Sequence, residues 1–113
     1  MWIFTISGFV SAVRSQDDST IILRSRDRAS LTGISKKYQA QIKQTPSADY
    51  PYRLALSSET FADWVADQAK GIDYPNFKSA VSIHRNHLFA RALGEIWSVM
   101  HGAEDKNARR PLK

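Results

Sequence analysis

The chain changes its hydrophobic period at Ser57. From Tyr52 to Leu56 the large apolar residues alternate, with Tyr52, Leu54 and Leu56 on one side and Arg53 and Ala55 on the other. That is the pattern of a half-buried strand. Directly after it, Phe61, Trp64, Val65 and Ala69 recur at helical spacing, interrupted only by Gln68. The hydroxyls of Ser57 and Ser58 suit a helix N-cap, and Gly71 suits its end. A strand that passes into a helix with no linker is half of a layered fold. The same succession stands earlier, with a strand over 20–26 and a helix from Asp27 to about Tyr38 that buries Leu31 and Ile34. Gly33 weakens that helix by about 1 kcal/mol relative to alanine. Two such units place antiparallel strands side by side with their helices on one face.

The rest of the chain fits around these units. "WIFTI" and "FVSAV" read as a strand pair joined at Ser7-Gly8. Gln16 to Ser19 is turn chemistry, Gln41 to Gln44 a short strand and Thr45 to Asp49 a loop. At "GIDYPNFKSAV", Pro75 opens a helical turn capped by Asp73, while Tyr74 is held extended by the proline. The longest helix spans about Asn86 to Met100, with Phe89, Leu93, Ile96, Trp97 and Met100 as its apolar stripe and Gly102 at its end. The expectation is therefore an α+β fold: an antiparallel sheet of about four or five strands with two or three helices on one face, for which a ferredoxin-like arrangement is a candidate. Trp2, Phe4, Phe9, Leu54, Phe61, Trp64, Ile96 and Trp97 are the expected core.

At 113 residues the chain suits one domain, here 1–102, followed by a flexible basic tail over 103–113. It has no cysteine, which excludes disulfides and thiolate zinc sites. No apolar run is long enough for a membrane helix. The apolar start lacks a basic segment and is broken by Thr5, Ser7, Gly8 and Ser11, so it reads as strand rather than signal peptide. A cytoplasmic location is expected, with no membrane contact.

The stretches "MWIFTISGFVSAV", "LRSRDRASL", "TPSADYPYRLAL", "IDYPNFKSAV" and "EIWSVM" resemble, together, a family of small uncharacterised proteins of bacteria and actinobacterial phages. Members of that family share a Met-Trp-x-Phe-Thr start, an Arg-x-Arg strand end and a Tyr-x-Asn-Phe-Lys turn. The resemblance covers the chain to about Met100. It implies a phage or prophage origin and is silent on activity. It marks Arg24, Arg26, Asp49, Tyr50, Tyr52, Arg53, Tyr74, Asn76, Phe77 and Lys78.

The net charge is +5, and it is unevenly spread. Basic groups outnumber acidic ones between Arg14 and Arg53, whereas Lys70 stands alone against Glu59, Asp63, Asp67 and Asp73 in the next stretch. Three functional expectations follow. The first is a non-enzymatic protein-interaction domain. Its partner docks on the acidic stripe of Glu59, Asp63 and Asp67, spaced four apart on one helix edge, and on Asn76 and Lys78. The second is nucleic-acid or anion binding by Arg24, Arg26, Arg28, Tyr52 and Arg53, with Lys36 and Lys37 nearby. The third is a small hydrolase or nuclease built on Asp49, Tyr52, Arg53 and Asp73. No nucleophile elbow, phosphate loop or dinucleotide fingerprint is present in the sequence. His84 and His87 lack a carboxylate at ligand spacing, so neither a metal nor a cofactor is expected. Self-association through an edge strand is a further expectation.

Overall fold

The computed structural model describes residues 1–111. Five strands are formed by Trp2–Thr5 (β1), Gly8–Arg14 (β2), Ile21–Ser25 (β3), Lys43–Gln44 (β4) and Tyr52–Leu56 (β5). Four helices are formed by Ala29–Tyr38 (α1), Ser58–Lys70 (α2), Phe77–His84 (α3) and His87–His101 (α4). The strands make one antiparallel sheet in the order β1-β2-β3-β5-β4. The fold is α+β, as the two strand–helix units require. No described helix is long and apolar enough to cross a membrane.

Register assigns the two faces. Ala12 pairs with Leu23 and Leu23 with Leu54, while Ile21 pairs with Leu56. These residues and Val10 are buried against Leu31 and Ile34 of α1 and Trp64 of α2. So α1 and α2 cover one face and enclose the main core. Ser57 caps α2 by accepting the Thr60 N–H at 3.1 Å, as its position after the strand predicts.

The other face follows by alternation: Trp2 and Phe4 on β1, Phe9 and Ser11 on β2, Ile22 and Arg24 on β3, Arg53 and Ala55 on β5. Neither α1 nor α2 reaches it. The α3–α4 hairpin leans over only its Phe4–Phe9 end, where Phe89 and Leu93 approach.

Several local expectations are corrected. Asp27 does not cap α1: the N-cap is Arg28, which makes no side-chain cap bond. Asp27 instead accepts from Ser25 Oγ at 3.2 Å and Ser30 Oγ at 2.5 Å, and pairs with Arg85. Helix α3 starts two residues later than Pro75, because Asn76 rather than Asp73 is its cap and accepts the Ser79 N–H at 2.9 Å. β4 is shortened to two residues.

The expected core divides. Leu54 and Trp64 are buried and Phe4, Phe9 and Phe61 partly so, but Trp2 is 69% exposed, Trp97 63% and Ile96 39%. Trp2 lies on the face away from α1 and α2, at the border of an open cleft beneath α4. Ile96 and Trp97 border open clefts between α4 and Phe4 of β1 instead of a closed core. Every described residue from Glu95 onward is exposed. The radius of gyration, 16.4 Å, accordingly exceeds the about 13 Å usual for a chain of this length. Of the expected tail, the described part forms turns, with Arg109 paired to Glu104 at 2.9 Å. Leu112 and Lys113 lie outside the described residues.

The β2–β3 turn carries a pH signature. Asp17 accepts hydrogen bonds from Ser15 Oγ (2.6 Å), Ser19 Oγ (2.7 Å) and the Ser19 N–H (3.1 Å). These bonds, the Ser15 hydroxyl foremost, lower its pKa from 3.8 to about 2. A depressed carboxyl steadies the turn above its unfolded value and gives that up as pH falls through the folded one. An NMR titration of Asp17 should therefore show a midpoint near 2; an ordinary carboxylate midpoint would remove these hydrogen bonds from the solution structure.

Candidate functional site

The open sheet face holds one transverse row of residues in direct register. Trp2 pairs with Ser11, Ser11 with Arg24, Arg24 with Arg53, and Arg53 with Lys43. Residues opposite one another on adjacent strands project to the same side. At the usual strand spacing the row is about 19 Å long. It puts three cations side by side at one end and an exposed indole at the other.

Like charges directly opposite each other destabilise a sheet, and this row is not neutralised from within. Among the described residues no carboxylate forms an ion pair with Arg24, Arg53 or Lys43. Arg24 is fixed in place all the same. Its Nη2 donates to Ser11 Oγ at 2.8 Å, its guanidinium carbon lies 4.7 Å from the centroid of the Tyr50 ring, and its buried Nε has no hydrogen-bond partner. Arg53 donates from Nε to the Tyr50 carbonyl at 3.4 Å. Arginines held by an aromatic ring and a neutral hydroxyl keep their charge and have already lost much of their rotamer freedom.

Tyr50 is the hub of this arrangement. It is buried, and Arg26 also lies over its ring, at 4.6 Å. Arg26 differs from Arg24 in being paired, with the Asp49 carboxylate at 2.8 Å and the Asp49 carbonyl at 3.0 Å. Beside Tyr50 runs a cleft of about 330 Å³ whose floor is Trp2, Phe4 and Phe9 and whose far wall is Phe89 and Leu93 of α4. Its aromatic floor is ordered: Phe4 stacks on Phe9 at 4.7 Å, and Trp2 meets Phe9 edge-on at 5.9 Å.

The residues singled out from the sequence are thus divided. Arg24 and Arg53 stand in the row, and Arg26 joins them at Tyr50. Arg28 lies over Tyr52 at 5.5 Å, and Tyr52 itself alternates to the helix-covered face and packs against the main core. The partner-docking set is largely engaged within the chain. Asp67 pairs with Lys37 of α1, and that hydrogen bond lowers its carboxyl below the usual range. Asn76 is spent as a helix cap, and Lys78 lies over Trp97 at 5.7 Å. Glu59 and Asp63 remain exposed on α2. Asp49 is held by Arg26, while Asp73 is exposed beyond the end of α2. His87 turns its Nδ1 to Ser82 Oγ at 2.7 Å.

Lys43, Ser11, Trp2 and Phe9 were not among the expected site residues. For Lys43 a signal existed, since a strand over 41–44 beside Arg53 already places a cation at a sheet edge. For Ser11 only the register reveals the role. No family model, curated protein or solved structure matches this chain.

Proposed function

We propose that the protein is a nucleic-acid-binding domain that takes a phosphate backbone on its open sheet face. The observation that carries this reading is the row of Arg24, Arg53 and Lys43, in register and without an acidic partner among the described residues. Phosphates supply what the row lacks, a line of anions able to accept from forked guanidinium donors. The charge balance of the chain, +5, favours the approach of a polyanion.

A fluorescein-labelled oligonucleotide, followed by anisotropy over a salt series, tests the reading. Binding should weaken steeply with salt, with a slope of about −2 in log–log form if three phosphates of a single strand are neutralised. Arg53→Gln with Lys43→Gln should flatten that slope by about 1.4, whereas Glu59→Gln on the helical layer should leave binding no weaker. Absence of binding at low salt, or a slope untouched by the double substitution, would overturn the proposal.

A second reading, protein–protein contact, has its own observation. Ile96, Trp97, Val99 and Met100 of α4 all face water, and exposed apolar patches of this kind mark interaction surfaces. Its simplest form is pairing with a second copy through the distal turns of α4. Sedimentation of wild type against Val99→Glu decides it: a single monomeric species in both would discard this reading.

A further inference from the structure

We infer that the aromatic cleft beside the cation row receives an unstacked nucleobase, and hence that the preferred ligand is a single strand rather than a duplex. The inference rests on the proposed phosphate row and adds to it the form of nucleic acid taken.

Three observations meet here. The first is position. Trp2 ends the cation row and also borders the cleft, two strand spacings, about 10 Å, from Arg24. The reach from a phosphate through its sugar to its base is of that order, so a strand seated on Arg24 brings a base to Trp2. The second is chemistry. The floor and wall offer the rings of Trp2, Phe4, Phe9 and Phe89, while the polar groups at the border, Ser25, Arg26 and Asp27, are already bonded within the chain. Such a surface stacks bases without reading their edges, as sequence-tolerant single-strand binders do. The third is exposure. Trp2 is largely in water although it belongs to a folded strand, at the β1 edge of the sheet face, and Arg24 over Tyr50 sets unpaired positive charge beside the cleft. A base paired inside a duplex cannot enter the cleft, whereas a free base enters without breaking pairs.

The test uses the whole chain and three fluorescein-labelled probes of equal length: a thymine homopolymer, the same backbone carrying abasic sites, and a duplex. A fourth strand with one 2-aminopurine reports stacking directly. Trp2 is chosen for substitution because its exposure spares the fold, and circular dichroism of each variant confirms that. The homopolymer should bind about tenfold tighter than the abasic strand, and tighter than the duplex. Trp2→Ala should lose about tenfold for the homopolymer while its salt slope stays unchanged; Trp2→Phe should recover most of the loss. The 2-aminopurine fluorescence should be quenched by wild type and much less by Trp2→Ala. Equal affinity for the abasic strand and the homopolymer would overturn the cleft inference and leave the phosphate row standing. Failure of every probe to bind would overturn both.

Discussion

Replacing Arg85 with alanine should release the α3–α4 hairpin from the sheet while leaving the main core folded. Arg85 is the clasp between the two. Its side chain, 15% exposed, donates to the Ser7 carbonyl, to the Asp27 carboxylate and, at 3.3 Å, to Ser30 Oγ, and it lies over Phe89 at 4.7 Å. Ser30 Oγ in turn accepts the Phe9 N–H at 3.1 Å and donates to Asp27. One guanidinium therefore ties the β1–β2 turn, the start of α1 and the end of α3 together. Hydrogen bonds to charged groups of this kind are worth about 1.5–3 kcal/mol. The larger figures for fully buried pairs do not apply, because Asp27 is 39% exposed. The loss should appear in hydrogen exchange as reduced protection over α3 and α4 with little change in β3, β5 and α1. Gly8→Ala should act at the same place. Gly8 has φ +147°, and an added Cβ would lie 2.1 Å from Ser30 Oγ and 2.5 Å from Arg85 Nη1. Protection lost evenly over the whole chain, or not lost at all, would contradict the clasp.

The two tryptophans of the helical region should answer to truncation in opposite ways. Trp64 is 5% exposed, lies in the main core and has Phe61 at a ring distance of 6.1 Å. Trp64→Ala should cost about 3–5 kcal/mol, the range for emptying a large buried aromatic site. Trp97 is exposed, in contact mainly with Lys78 and His101, and Trp97→Ala should fall within about 0.5 kcal/mol of wild type. Urea denaturation measures both. Equal losses would mean that the distal part of α4 is packed in solution, either against the body or against another copy.

That contrast shows where sequence reading reaches its limit. Trp64 and Trp97 both belong to helical apolar stripes, and a stripe reports only that one side of a helix is apolar. What covers it depends on where the helix leads, and α4 stays exposed from Glu95 onward, with open clefts between it and the sheet. Strand positions were legible for a firmer reason: in Tyr52–Leu56 the alternation itself specifies two faces, and Ser57 marks the junction with α2. The row of cations was half legible. Arg24 and Arg53 stand out as charges at alternating positions of two strands, yet their meeting depends on a pairing between residues far apart in sequence, and Lys43 joins them through a strand of only two residues. The sequence points to Asp27 as a helix cap because aspartate before a helix usually is one. Its true partner, Arg85, is brought to it by the tertiary fold and could not be found by local spacing. Which cation meets the acidic stripe is equally hidden, because Lys37, which takes Asp67, lies on a different helix.

The alternation of the sheet has one more consequence, for how the chain tolerates change. Leu23 and Arg24 are neighbours on β3, yet they answer to different demands, one to packing beneath α1 and α2 and the other to charge on the uncovered side. The same holds for Leu54 and Arg53 on β5. A substitution at Ala55 therefore alters the uncovered surface with little effect on folding, and one at Leu23 or Leu54 does the reverse. Surface character and foldedness are written on alternate letters of the same strands, so a drifting sequence is able to revise the first while conserving the second.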